Sequence, residues 1–221
     1  MTIIKKTPVS PALFEYMESH SLQMHPILAR VADETAQRSD SIMQIPRHQG
    51  GFMHILTKLM GVKEAIEVGC YTGYSAIAVA SALPEGGKLT AFDVNPVTSE
   101  IAAGYFRDAG LSDVVRLVVG NAVSTLGEFI AKRGKNFADM AFIDADKINY
   151  ETYYELCLEA VKPNGLIILD NAFRDGDVLN LAVADEGTKV VERITRTIKA
   201  DQRVEATMIP IADGLILIRK K

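Results

Sequence analysis

Two short stretches of the chain carry residue types able to do chemistry together: Asp144-Ala145-Asp146-Lys147 and Asp170-Asn171. Each begins where an apolar run stops, Phe137 to Ile143 before the first and Leu166 to Leu169 before the second. If those runs are neighbouring strands, their ends open on one crevice, where open α/β sheets bind ligands. Asp144, Asp170 and Asn171 then bring three side-chain oxygens together. Hard oxygen ligands suit Mg²⁺ or Ca²⁺ rather than zinc. An octahedral ion so held keeps positions for two adjacent hydroxyls of a ligand and for water. A cation lowers the pKa of a hydroxyl bound to it. Lys147, three residues after Asp144, suits the general base if a nearby metal and partial burial lower its own pKa.

Each residue also has a plainer reading. Asp170-Asn171 is good turn sequence, Lys147 is a surface lysine beside Asp146, and Asp146 caps the next helix or orients the site. The coincidence of acids at two strand ends favours a site.

A second motif faces the same way. Glu67-Val68-Gly69-Cys70-Tyr71-Thr72-Gly73-Tyr74-Ser75 follows an apolar strand and opens a helix. Its glycines allow a sharp turn and close approach to a ligand, and the helix N-terminus suits a carboxylate, with the Ser75 hydroxyl beside it. In a dinucleotide fingerprint the middle glycine admits pyrophosphate; here Tyr71 stands at that position, which obstructs pyrophosphate but can wall an amino-acid moiety. The next strand ends on Asp93, placed to accept from ribose hydroxyls. Gly120-Asn121-Ala122 after the third strand borders an adenine. Glycine loop and second-strand acid together favour an adenosine ligand.

The elements that must position these residues are legible as a rhythm. Strands at Ala65 to Gly69, Lys88 to Asp93, Val114 to Val119, Phe137 to Ile143 and Leu166 to Leu169 alternate with helices at Gly73 to Leu83, Pro96 to Ala109, Ala122 to Ala131 and Asn149 to Val161. Such βα units imply a parallel sheet covered on both faces. The end of the chain differs: a helix from about Asp185 to Ala200, then strands Val204 to Pro210 and Leu215 to Arg219 joined by Ala212-Asp213-Gly214, a hairpin signal. Before the alternation, residues 11–61 read as helices. Pro11 follows a Ser10 cap, a second helix covers Pro26 to Arg38, and a third runs from His48 to Met60. Its Phe52, Ile55, Leu56, Leu59 and Met60 share a face, with Gly61 as cap. Ser41 to Pro46 is a loop that could cover a site.

The 221 residues suffice for one α/β domain, a helical cap over 1–61 and a core over 62–221. With 24% charged residues and net charge -4, no global field draws nucleic acid or anionic membrane. Cys70 and Cys157 form no metal or disulfide framework. No run approaches the ~18 apolar residues of a membrane span, and the N-terminus has no apolar run behind its lysines. The expectation is a cytoplasmic protein with no membrane partner.

At these residues the chain resembles the caffeoyl-CoA and catechol O-methyltransferase family of class I methyltransferases. The resemblance rests on EVGCYTGYS (67–75), AFDVN (91–95), GNA (120–122), FIDADKINY (142–150), GLIILDNAF (165–173) and ADGLILIRK (212–220), and runs from about Met43 to the end. It implies a doubly wound, Rossmann-like sheet of seven strands with an antiparallel C-terminal hairpin and extra N-terminal helices. S-adenosylmethionine would be bound by Ile45, Glu67, Gly69, Cys70, Tyr71, Ser75, Asp93, Ala122 and Asp144. A divalent cation, Mg²⁺ foremost and Ca²⁺ or Mn²⁺ otherwise, would be bound by Asp144, Asp170 and Asn171. Lys147 and Asp144 would be catalytic, and the protein a homodimer acting on a catechol-like small molecule. Plant members carry a tryptophan after Asp-Asn-x-Leu, whereas this chain has Ala172-Phe173-Arg174, which alters the acceptor rim.

An alternative keeps donor and metal but makes the acceptor a hydroxyuridine of tRNA, with Arg174, Arg193, Arg196 and Lys199 as a local basic strip. A nucleotide-dependent oxidoreductase is opposed by Tyr71 and the terminal hairpin. A non-catalytic binding protein is opposed by the intact set Asp144, Lys147, Asp170 and Asn171.

Overall fold

The computed structural model describes residues 7–21 and 24–221. The expectation of no targeting segment falls partly on residues 1–6, which lie outside that range. Among the described residues no helix is long and apolar enough to cross a membrane.

Seven strands form one sheet in the order β3-β2-β1-β4-β5-β7-β6. They are β1 (Glu64–Val68), β2 (Lys88–Asp93), β3 (Val115–Val119), β4 (Ala138–Ile143), β5 (Val161–Leu169), β6 (Val204–Ile209) and β7 (Leu215–Lys220). The first five run parallel. The last strand lies antiparallel beside β5 and pairs with β6. The central strands are mostly apolar because both faces are covered. Helices α4 (Tyr74–Ala80) and α5 (Pro96–Asp108) contribute to the core on one face; α6 (Ala122–Arg133), α7 (Tyr150–Ala160) and α8 (Glu186–Ala200) contribute to the other. Helix α8 shows how such a helix arises. Val190, Val191, Ile194 and Ile198 recur on one stripe and are buried, and Asp185 caps the start by accepting from Thr188 N at 2.6 Å.

The sheet changes direction between β1 and β4, since β2 and β3 lie on one side and β5 on the other. A crevice opens there beyond the carboxyl ends of the strands.

Three helices precede the sheet: α1 (Pro11–His20), α2 (Ile27–Thr35) and α3 (Arg47–Met60). Ser10 caps α1 through Leu13 N, and Gly61 ends α3 at φ +61, as the sequence suggests. The buried face of α3 is not its apolar stripe. Ile55, Leu59 and Met60 are exposed, whereas Gln49, Gly50, Met53, His54 and Thr57 are buried. These also recur at helical spacing. The tight contact with α4 selects them: a side chain at position 50 would meet the Tyr74 ring at 3.1 Å, and the His54 ring nitrogen Nδ1 donates to Ala78 O at 2.8 Å.

Two boundaries also move. Strand β5 begins at Val161 rather than Leu166, pairing with Ala138 across an irregularity in register. The terminal hairpin turns through Pro210–Gly214, closed by Gly214 N donating to Ile211 O at 2.8 Å, a wider turn than a bare Asp-Gly pair.

Candidate active site

A cavity of about 750 Å³ fills the crevice. One wall comes from the loop after β1. Gly69 has φ +91, and a Cβ there would lie 1.9 Å from the Asp144 carbonyl oxygen. Glycine is therefore the residue that lets the ends of β1 and β4 touch. Asp93 braces this loop, its Oδ2 accepting from Cys70 N at 2.8 Å and Tyr71 N at 2.7 Å while Oδ1 accepts from Asn95 N. The sequence placed Asp93 for a ligand's hydroxyls; it also buckles the backbone that would cradle that ligand.

Ile45, Gly69, Cys70, Tyr71, Ser75, Asp93, Ala122 and Asp144 all line the cavity. Glu67 does not. It is buried beneath, accepting a hydrogen bond from the Ser75 hydroxyl, and its Oε2 has no partner. Burial pushes its carboxyl up to about 8, with Asp144 and Asp93 adding to the effect against the Ser75 bond. The Cys70 thiol is pushed well above its usual range by burial and by Glu67 and Asp93, so it is no ready nucleophile.

The far wall is made by the ends of β4 and β5. Lys147 Nζ donates to Asp144 Oδ1 and to Ala145 O, both at 3.0 Å, and lies 4.7 Å from the Tyr150 ring centre. Asp170 is buried; Gln49 Nε2 donates to its Oδ2 at 2.6 Å and Asn171 N to its Oδ1. Burial, then the charge of Asp144, holds the Asp170 carboxyl above the usual carboxylate range. Asn171 sits at φ +56 with its Nδ2 turned to Asp213 Oδ2 at 3.3 Å. Among the described residues no three His, Cys, Asp or Glu side chains converge as a metal cluster. A cation here must rest on two carboxylates and an amide. That donor set is hard, and the mutual repulsion of Asp144 and Asp170 is what a divalent ion would relieve, so the residues fit one.

Several neighbours gave no sequence signal. Gln49, wholly buried in α3, leaves its Oε1 unpartnered, as Gln44 does, and both residues line the cavity. Asp213, read only as a turn residue, anchors the loop after β5 through Asn171 and Asp175 N. Tyr71 OH donates to Asp40 Oδ1 at 2.6 Å, and Arg38 reaches both. This network ties the donor loop to the 41–46 segment. That segment begins with a single 3-10 turn, Ser41–Met43, and residues 42–46 line the cavity, Ile45 buried and Ile42 and Met43 exposed. Only long-range packing brings such residues together.

Two of the four cations of the anticipated basic strip are closely paired, Arg193 with Glu151 at 2.8 Å and Arg196 with Glu192, while Arg174 stands 3.4 Å from Asp185. Phosphate binding draws on unneutralised cations, so the tRNA reading gains no support.

Comparison with known proteins gives a consistent picture. A family model described as O-methyltransferase matches residues 18–221. The chain is 32% identical to a protein of Dictyostelium discoideum named probable caffeoyl-CoA O-methyltransferase 1, over 97% of this chain and 94% of that one. It is 34% identical to caffeoyl-CoA O-methyltransferase 2 of Populus trichocarpa, over 96% and 89%. Its structure resembles that of an O-methyltransferase from Bacillus cereus in complex with SAH, with TM-score 0.88 and 28% identity over 95% of this chain and 97% of that one.

Proposed function

We propose, on the premise that the chain belongs to the O-methyltransferase family and is an S-adenosylmethionine-dependent O-methyltransferase, that it requires a divalent cation and methylates one hydroxyl of a small vicinal diphenol. One observation carries the reading: Gly69 and Asp144 are in such contact that a methyl group would not fit between them. The donor loop and the acid pair are thus walls of one cavity, and two reactants held there lie side by side.

A cation held by Asp144, Asp170 and Asn171, Mg²⁺ foremost, would lower the pKa of the acceptor's hydroxyls. The remaining roles belong to this chain's own groups. Ile45, Gly69, Cys70, Tyr71, Ser75, Asp93, Ala122 and Asp144 hold the donor, and the buried Ile45 adds an apolar wall that excludes water. Lys147, which donates to Asp144, serves as base once its ammonium has released one proton to solvent, and its nitrogen lone pair then takes the phenolic proton. The phenolate oxygen bonds the methyl carbon as the carbon–sulfur bond breaks. The electron pair stays on sulfur, leaving a neutral thioether. A homodimer belongs to the same proposal, with the exposed Ile55, Leu59 and Met60 of α3 as an apolar face for the partner.

Transfer of labelled methyl from S-adenosylmethionine to catechol, run with Mg²⁺, Ca²⁺, Mn²⁺ and chelator, tests this. Product is expected with metal and at least a hundredfold less with chelator. Equal turnover in chelator, or no product from any diphenol with metal, would sink it.

A further inference from the structure

We infer that Arg174 selects acceptors that carry a carboxylate on a short arm of the diphenol ring. This deepens the acceptor reading above and rests on it. Arg174 lines the same cavity as Asp144, Lys147, Asp170 and Asn171. It follows Asn171 by three residues, so their Cα atoms lie at most about 10 Å apart.

The turn between them is held firmly. Ala172 N donates to Gly214 O at 2.9 Å, Phe173 N to Asp213 O at 2.8 Å and Asp175 N to Asp213 Oδ1 at 2.8 Å. Asn171, Arg174 and Asp175 all sit at positive φ, +56, +48 and +55. Side-chain-bearing residues persist there only when their surroundings dictate it. The root of the arginine is therefore at a set distance from the proposed cation ligands.

Its head is anchored but not closely neutralised. Nε donates to Thr188 Oγ1 at 3.3 Å and Nη2 to Asp185 Oδ2 at 3.4 Å, both long for charge-assisted bonds. Asp185 meanwhile accepts at 2.6 Å from Thr188 N. Among the described residues nothing hydrogen-bonds Nη1. The other lining cation, Lys147, is paired with Asp144 at 3.0 Å. The remaining charged residues of the lining, Asp93, Asp144, Asp146, Asp170 and Asp213, are acids that repel an anion.

A carboxylate entering this cavity thus meets one available partner, and a guanidinium fork matches its planar geometry. A diphenol with its two hydroxyls at Asp144, Asp170 and Asn171 turns the opposite side of its ring away from them. An acid group there would find its cationic partner in Arg174, on the turn that follows Asn171.

The test compares kcat/KM for a dihydroxyphenyl carboxylic acid, its neutral methyl ester and the corresponding coenzyme A thioester, with metal, in the unaltered enzyme and in Arg174→Gln and Arg174→Glu. The acid is expected to exceed the ester at least tenfold in the unaltered enzyme. That ratio should fall to near one in Arg174→Gln and below one in Arg174→Glu, with thermal melting reporting that both variants fold. A side chain that only braced the Asp185 cap would lower turnover of acid and ester alike and leave the ratio where it was, which overturns the inference. A thioester preferred over the acid, equally with and without the arginine, overturns it too. If no diphenol is methylated at all, the acceptor reading beneath it has failed as well.

Discussion

The two halves of the cavity are built from different materials. The half proposed to hold the donor, at the ends of β1 and β2, is mostly backbone: a glycine at φ +91, two loop amides on one Asp93 oxygen, and a helix N-terminus at Tyr74. The half proposed to hold the acceptor, at the ends of β4 and β5, is mostly charged side chains: Asp144, Lys147, Asp170 and Arg174, with Asn171. Backbone sites respond to shape and side-chain sites respond to charge. Damage to the first should therefore appear in folding and donor affinity, and damage to the second in metal and acceptor terms.

The largest effect is expected where the halves touch. Gly69→Ala places a methyl 1.9 Å from the Asp144 carbonyl oxygen at a strained φ, and something must move. Loss of donor binding by calorimetry, at least a hundredfold, or failure to fold, is expected; a variant binding donor normally would show that the contact does not govern the donor wall.

Asp170→Ala is next. Metal-dependent turnover should fall at least a hundredfold while donor affinity, read by calorimetry, changes less than threefold. Collapse of donor affinity with metal dependence intact would erase the distinction between the halves.

Gln49→Leu sharpens the same comparison one step back. The buried amide donates to Asp170 at 2.6 Å, and losing such support to a ligand typically weakens metal affinity about 10- to 100-fold. Titration of Mn²⁺ binding by electron spin resonance reads this directly. An unchanged affinity would mean that Asp170 is oriented without it.

The smallest effect is a pH dependence in the donor half. Glu67 has its carboxyl pushed up to about 8 in the folded protein, against about 4.3 for an unfolded chain. The folded state therefore binds the proton more tightly. The stability this contributes is fully present below the unfolded value and is lost as pH rises through about 8, with a slope of at most about 1.4 kcal/mol per unit. Melting of the ligand-free protein between pH 5 and 8 should fall more steeply than that of Glu67→Gln. Parallel curves would show that the carboxyl does not feel its burial.

Much of the site was legible because strand ends are legible. Asp93, Asp144 and Asp170 each follow an apolar run, and a parallel sheet delivers such ends to one edge. The glycine loop was legible because glycine is required where backbone meets backbone. Glu67 lies beneath the cavity lining, bonded to Ser75, because an alternating strand leaves open which neighbours cover its face. Which face of α3 is buried was not legible, because periodicity cannot tell which of two helical faces meets a neighbour.

The order of residue types along the chain by itself determined the βα alternation, the reversal at the terminal hairpin and the acids at the strand ends, since these follow from local periodicity and turn chemistry. Which distant groups stand beside those acids was decided only by tertiary packing. Gln49 reaches Asp170 from 121 residues away, Asp213 secures Asn171 from 42, and Asp40 holds Tyr71 from 31. Such contacts depend on the relative placement of whole helices and strands, a geometry set by the summed fit of the core rather than by any short stretch of residues.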